Sequence, residues 1–174
     1  ANNFMISDTS AELSGGSLSG TATSLTVRAT CTSAINALSG AVSAGGTGAV
    51  GGALSVNSMG EGTDNFRVRT RFANTSLSAP VAVTVESSLS GAIQSIAASG
   101  SGAGTAAVNG SVTVNAIEAD VLTEVTGLNQ QNNGGAMQVR ADNDADIASL
   151  AGTISGAGTA AVGAAVSVNK IGGH

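Results

Sequence analysis

The chain of 174 residues lacks tryptophan and tyrosine, and aromatic residues make up only 2% of it. Because a broad globular core normally depends on aromatic side chains, we expect a narrow core built from alanine, valine, isoleucine and leucine. Cys31 is the only cysteine, so an internal disulfide is excluded. The only histidine is His174, which argues against a cysteine and histidine pair of the kind that activates a catalytic thiol.

Charge is scarce as well. Charged residues make up 10% of the chain, and the formal net charge is −5. Nucleic acids and anionic membranes attract basic proteins, so neither is an expected partner. No apolar run approaches the roughly 18 residues of a membrane-spanning helix, and we expect no membrane insertion. The sequence starts at Ala1 without a visible signal peptide, which we interpret as a processed or excised segment.

The chain does contain a long internal repeat. Residues 47–57, 105–115 and 159–169 carry nearly the same sequence, and the asparagines that close them, Asn57, Asn115 and Asn169, lie 58 and 54 residues apart. Asn3 lies another 54 residues before Asn57. A fixed period of this size is typical of repeat architectures. It predicts one segment, 1–174, with repeat units of about 1–57, 58–115 and 116–169.

Within each unit the apolar residues alternate with small ones. In the third copy Val162, Val166 and Val168 share one side, and Gly163 and Ser167 share the other. Side chains alternate between two faces only in a strand, and β-branched residues favour strands. We therefore predict strands whose valines face the interior and whose glycine, alanine and serine residues face outward.

The repeat length indicates which all-β fold the strands form. A propeller and an immunoglobulin-like sandwich both expect a tryptophan that this chain lacks. We predict an all-β, single-stranded parallel β-solenoid, a right-handed β-helix of about nine coils, each of about 18 residues. Asn57, Asn115 and Asn169 would then lie three coils apart, unable to touch, and would form corners.

Glycines lie just before the core segment of each unit, at residues 45–46, 100–102 and 156–158. We predict that they supply the positive φ that a tight corner needs. A glycine-rich phosphate loop would require a following helix and usually a lysine. Neither is present, so the pattern favours corners.

The last copy of the core, GTAAVGAAVSVNKI at residues 158–171, resembles the repeats of large bacterial filamentous-haemagglutinin-like adhesins and exoproteins, which are exported by two-partner secretion or as autotransporters. The resemblance covers essentially the whole chain. It implies an extracellular or cell-surface right-handed β-helix, and it supplies no catalytic residues.

We therefore expect a non-enzymatic, extracellular structural segment of a bacterial surface adhesin or fibre. One alternative is a self-assembling β-solenoid subunit of an extracellular filament. The equivalent phase of Asn3 and Asn169 favours head-to-tail self-association, and weakly charged outer faces favour lateral packing. A second alternative, from another class, is a carbohydrate-active β-helix enzyme.

An enzyme of that class needs paired acids in a groove. The candidates are Glu61 with Asp64, and the acidic stretch of Glu118, Asp120 and Glu124. Sugar-binding aromatics are missing, and neither group has a local histidine, so we expect no enzyme.

A second acidic group consists of Asp142, Asp144 and Asp146 at alternate positions. Calcium accepts six to eight oxygen ligands, so these carboxylates are a candidate calcium site, with a solvated acidic loop as the alternative. No other cofactor is expected.

Two further groups are candidate surface sites. Arg67, Arg69 and Arg71 alternate along a predicted strand, which indicates an outward basic row. This row is either a plain outer face or a partner face for a host or cell-surface glycan or protein. Asn74 and Asn109 begin N-glycosylation sequons. Asn109 aligns with Gly51 and Gly163, so we predict an outward position that accepts bulk, although sequons also arise by chance.

Overall fold

The computed structural model describes residues 1–19, 23–60, 66–77, 81–130 and 135–173. All regular secondary structure in these residues is β-strand. The strands are β1 Asn2–Met5, β2 Asp8–Ser14, β3 Ser17–Leu18, β4 Ser24–Gly45, β5 Gly48–Met59, β6 Phe66–Ala73, β7 Ser76–Leu77, β8 Ala82–Ala103, β9 Ala106–Thr126, β10 Asn129–Gln130, β11 Met137–Ala157 and β12 Ala160–Gly172. The prediction of an all-β chain is confirmed.

The strand pairs in the described residues are parallel and join positions about one repeat apart. One sheet has the order β4-β8-β11, a second has the order β3-β7-β10, and the largest has the order β1-β5-β9-β6-β2 with β12 added on β9. Phe66 lies opposite Ala119, and Asp8 lies opposite Arg67. Each repeat therefore contributes one layer to each sheet.

The predicted division of each repeat into coils of about 18 residues is wrong for the described strands. β4 and β8 are each 22 residues long, so either strand alone exceeds such a coil. They pair along their whole length at a separation of 58 residues, with Leu25 opposite Val83 and Gly45 opposite Ala103. The paired unit is the sequence repeat itself.

Hydrophobic side chains fill the space between the sheets in one half of the structure. The first buried cluster is centred on Phe66, Leu89, Ile93 and Ile117. The second is Phe72, Leu77, Val83 and Val85. We call the half that contains these two clusters the base. The other half, residues 38–57, 96–115 and 150–169, we call the wing. All Asp, Glu, Lys and Arg residues of the chain lie outside the wing.

The wing has its polar side chains inside and its apolar side chains outside. Ser111, Thr113 and Asn115 are at most 1% exposed, whereas Val108 is 49% and Val166 is 50% exposed. The prediction that the valines face the interior is therefore wrong in the wing, where small residues occupy that space: serine, threonine and asparagine together with alanines such as Ala97 and Ala107.

Hydrogen bonds between the two facing sheets explain this reversal. The Ser111 hydroxyl donates to the Gly152 carbonyl oxygen over 2.7 Å, and Ser99 donates to the Gly110 carbonyl oxygen over 2.8 Å. These bonds offset the desolvation of the buried hydroxyls. Within the described residues, the hydroxyls of Ser43 and Ser101 are buried without such a partner. The cost of desolvating the inward hydroxyls is therefore only partly offset.

The glycines before each core segment serve a different purpose from the one predicted. Residues 45, 46, 100, 102, 104, 156 and 158 do not adopt positive φ. Instead, a Cβ built on Gly104 would lie 2.2 Å from the Gly46 carbonyl oxygen, and one on Gly158 would lie 2.4 Å from that of Gly104. Gly104 and Gly158 are therefore glycine because the backbones of successive layers approach closely at the tip of the wing. A Cβ on Gly45 would instead lie 2.0 Å from the Gly48 carbonyl oxygen of its own layer, whereas Gly46, Gly102 and Gly156 have open space where a Cβ would lie.

Positive φ occurs at a different corner, in the base. Gly15 has φ 76°, Asn74 has φ 50° and Gly127 has φ 61°. The amide of Gly15 donates to the Ala73 carbonyl oxygen, and that of Asn74 donates to the Thr126 carbonyl oxygen. The left-handed conformation is thus repeated in successive layers, at residues that tolerate it.

Because polar side chains face inward in the wing, the same substitution should lower the free energy of unfolding strongly at an inward residue and only slightly at the adjacent outward residue. Ser111→Asp should lower the free energy of unfolding by about 3 kcal/mol or more, because it buries an unpaired carboxylate. Val112→Asp should cost clearly less, about 1 kcal/mol, because its side chain lies on the outer side of β9 and is partly exposed. Urea denaturation followed by circular dichroism measures both. The reverse order would show that the valines face inward.

The pairing register also predicts which insertions the fold accepts. A tandem duplication of residues 58–115 adds one complete layer, so it should increase stability and the denaturant m-value, which scales with the surface exposed on unfolding. A duplication of residues 98–115 breaks the register and should lower stability. If the shorter duplication were the stabilising one, the repeat could not be the paired unit.

Candidate functional site

The basic row lies on the outer side of β6, between two rows of acids. Arg67, Arg69 and Arg71 alternate with buried residues of the core. Neighbouring strands place carboxylates beside them: Asp8 and Glu12 on β2, and Asp120 and Glu124 on β9. Three guanidinium groups are therefore flanked by four carboxylates.

Distances show that two arginines of the row are paired. Arg69 Nη2 lies 3.3 Å from Glu124 Oε2, and Arg71 Nη1 lies 3.4 Å from Glu12 Oε1. The side chains are 35% to 52% exposed, so each pair contributes only about 0–1 kcal/mol. With its charge neutralised by adjacent strands, the row gives weak support to an acidic glycan as partner.

The three aspartates lie on β11, in a strand and not in the predicted acidic loop. Asp142, Asp144 and Asp146 alternate along one face, which places successive carboxylates about 7 Å apart. Asp142 Oδ2 is 2.5 Å from Arg140 Nε, and this hydrogen bond and charge raise the pKa of the Arg140 guanidinium. Among the described residues, no group of three or more His, Cys, Asp or Glu side chains could hold a metal ion. The arrangement therefore gives no support to the calcium candidate.

The two sequons differ in accessibility. Asn109 is only 3% exposed, and its Nδ2 donates to the Ile154 carbonyl oxygen over 3.0 Å. Its neighbours in the adjacent layers are Gly51 and Gly163, and a Cβ on Gly51 would lie 2.6 Å from Asn109 Oδ1. The glycines therefore make room for an inward asparagine, and the prediction of an outward glycan site is wrong. Asn74 is exposed and stays a candidate.

The acidic residues considered for catalysis are engaged in pairs. Glu118 forms an ion pair with Lys170, and Glu124 binds the arginine row. Asp120 also has an interaction partner. Glu61, Asp64 and His174 lie outside the described residues.

Cys31 is half-buried and packs against the first hydrophobic cluster. Its Sγ lies 3.9 Å from the Ser7 hydroxyl and 3.7 Å from the Ser33 hydroxyl. These neighbours are not bases that would activate a thiol. The position fits a small inward side chain.

The feature that the sequence interpretation missed is a ladder of asparagine side chains through all layers. Asn3 Nδ2 donates to Asn57 Oδ1 over 2.8 Å, and Asn57 Nδ2 donates to Asn115 Oδ1 over 2.8 Å. Asn115 Nδ2 donates to Asn169 Oδ1 over 2.9 Å. The prediction that these asparagines cannot touch is wrong, because the layer spacing equals the repeat. Their equal positions in the sequence were the signal.

The ladder lies at the boundary between the polar interior of the wing and the apolar interior of the base. Asn57 and Asn115 are each 1% exposed, and the next inward residues, Met59 and Ile117, are fully buried. The two buried amides, Asn57 and Asn115, each donate to one neighbour of the ladder and accept from the other. The stack therefore satisfies polar groups that would otherwise be buried unpaired. The arrangement fixes register and offers no reactive group.

Comparisons of the chain with protein-family models, with curated proteins and with solved structures each found no match. Among the described residues, no helix is long and apolar enough to cross a membrane.

The ladder predicts that replacing one asparagine with aspartate, which exchanges the amide nitrogen for an oxygen, strongly lowers the free energy of unfolding. Asn115→Asp removes a donor and buries a carboxylate, so at neutral pH it should cost about 3 kcal/mol or more. Burial raises the pKa of the new carboxyl above its unfolded value. The loss should therefore be full above the raised pKa and shrink as pH falls through it.

Asn36→Asp is the matched control, because Asn36 is exposed on the outer face of β4. It should change stability by about 0.5 kcal/mol or less. Chemical denaturation of both variants at several pH values measures the difference. Equal, small effects for the two substitutions would show that the ladder does not contribute to stability.

Proposed function

We propose that the chain is a right-handed parallel β-solenoid in which each repeat forms one turn, and that it is a non-enzymatic structural segment of an extracellular bacterial surface adhesin or fibre. The solenoid is supported by the pairing of every repeat with the next, at a separation of 54 or 58 residues along the asparagine ladder. A stack of this kind contacts only its neighbours along one axis, so its length grows with the number of repeats.

A structural role is favoured by what the polar side chains do. The asparagines bind one another across layers. Arg69 and Arg71 of β6 bind acids of the adjacent strands, and Arg28 of β4 binds Glu86 of β8 over 2.6 Å. These hydrogen bonds and ion pairs join successive layers, as the structure of a stalk requires.

The adhesin assignment rests on the resemblance of residues 158–171 to filamentous-haemagglutinin-like repeats and on the composition of the chain. Low charge, a net charge of −5 and the lack of a disulfide are compatible with a long secreted fibre. The stacked layers would carry a binding tip away from the cell, and the charged base would keep the fibre soluble.

Surface labelling of the bacterium that encodes the gene tests this proposal. An antibody raised against the folded segment should label intact cells, and external protease should remove the signal. A cytoplasmic protein of the same cells is the control that must stay unlabelled. Labelling that requires permeabilised cells would contradict an extracellular role.

A filament subunit is the second candidate, and the apolar outer faces of the wing favour it. A panel of bacterial and host polysaccharides incubated with the purified chain tests the enzymatic alternative. We expect no release of reducing ends or unsaturated products. Turnover that is lost when Glu118 and Glu124 are both changed to Gln would overturn the structural assignment.

A further inference from the structure

The outer faces of the wing carry only apolar and small side chains. The outward positions in its first layer are Leu38, Gly40, Val42, Ala44, Gly48, Val50, Gly52, Leu54 and Val56, and the equivalent positions in the other two layers carry Ile, Leu, Val, Ala or Gly. Hydroxyl and amide side chains of these strands face inward instead. Soluble surfaces mix apolar and polar groups, so a face without polar side chains indicates a contact surface.

The exposure of this surface does not depend on the ends of the stack. Ile96 on β8 is 45% exposed and Val108 on β9 is 49% exposed, although both belong to the middle layer and have strands above and below them. What remains exposed is their outward side. Leu38 and Leu150, in the same row as Ile96, are 77% and 62% exposed.

The face of the β4-β8-β11 sheet has a ridge and a groove. Leu38, Ile96 and Leu150 stack in register and form the ridge. The next outward row is Gly40, Ala98 and Gly152, and it forms the floor of an open groove of about 580 Å³. On its other side lies the row of Val42, Gly100 and Ile154, in which Val42 and Ile154 border the groove and Gly100 leaves it open between them. The ridge and the groove run in parallel, about 7 Å apart.

The geometry fits a second copy of the same chain. A two-fold axis parallel to the ridge, placed between ridge and groove, would put the ridge of each copy over the groove of the other. Interdigitated apolar faces of stacked sheets form dry contacts of this kind. The wing carries no charge, so the contacting faces bring no like charges together.

A lipid surface fits less well. Proteins that lie on or in membranes commonly anchor through Trp, Tyr, Lys or Arg at the interface. The wing contains none of these residues, and the chain as a whole carries a net charge of −5. A lipid chain also gains little from a ridge and groove in register.

The size of each face sets the strength of the contact. The β4-β8-β11 face has about eight wing residues along each strand and the other face has about ten, with three strands across each, so the faces measure about 26 by 14 Å and 33 by 14 Å, or about 370 and 460 Å². Stable pairs bury about 800 Å² per partner. One face therefore supports a weak pair, and the two faces of the wing together support stacking of several copies.

We propose that the outer faces of the wing bind second copies of this chain, with the ridge of Leu38, Ile96 and Leu150 of one copy seated in the groove of Gly40, Ala98 and Gly152 of the other. This association is lateral, side by side, and does not depend on the adhesin assignment or on contacts between the ends of the stack.

Sedimentation velocity of the full chain over a range of micromolar concentrations tests the proposal. The wild-type chain should associate reversibly. Ile96→Lys places a charge on the ridge in the middle layer and should weaken association at least about tenfold. Thr84→Lys is the matched control on the same outer side of β8, in the base, and should associate like the wild type.

Ala98→Leu separates a specific fit from general stickiness. It makes the face more apolar but fills the groove, so the proposed packing predicts weaker association, again by about tenfold or more. A merely adhesive face would associate more strongly. Circular dichroism and melting curves must show that all three variants fold, which their outward positions favour.

Three outcomes would overturn the proposal. The wild-type chain could stay monomeric throughout the range, or Ile96→Lys could associate unchanged, or Ala98→Leu could associate more tightly. Flotation with phosphatidylcholine vesicles covers the lipid alternative. Binding to vesicles that is lost in Ile96→Lys, by a chain that is monomeric in solution, would assign the wing to a membrane surface instead.

Discussion

Parallel pairing between each residue and its counterpart one repeat away is the constraint on which the structure depends. Because the repeats are similar, this register places like on like: Ile35 beside Ile93, and Asn57 beside Asn115. Each residue type in one repeat is therefore repeated as a row of like side chains across the layers. A row of asparagines becomes a hydrogen-bonded ladder, and a row of isoleucines becomes part of a continuous core.

The ladder and the inward hydroxyls prevent the strands from slipping out of this register. A slip of one residue exchanges the two faces of a strand, which would move Asn115 from the interior to the outer side and expel Ser111 from its bond to Gly152. Aliphatic side chains alone are less selective, since one valine packs on another in many offsets. The polar interior of the wing therefore gives specificity where small residues leave little hydrophobic driving force.

The sequence was sufficient for the strands, their parallel stacking and the repeat, because those follow from alternation and period. It was not sufficient for the face that each strand buries. Alternation of Val112 with Ser111 and Thr113 defines two faces but does not say which is inside, and hydrophobicity favours the wrong one. The carbonyls of the facing sheet, which accept hydrogen bonds from the Ser111 and Ser99 hydroxyls, favour burial of the polar side. The repeat length is also divisible into three shorter coils, whereas the long uninterrupted alternation of β4 favours one strand of 22 residues.

The candidate sites follow the same logic. That Arg67, Arg69 and Arg71 alternate along one strand was visible in the sequence. The acids that neutralise Arg69 and Arg71 lie about one repeat away along the chain and become neighbours only through the register. The register also explains why charge and apolar surface are separated so sharply. An outward leucine in one repeat becomes an apolar row, and an outward arginine becomes a row of ion pairs. Two short stretches of sequence thus become two surfaces of opposite character, a charged one on the base and an apolar one on the wing, and adding layers enlarges both together.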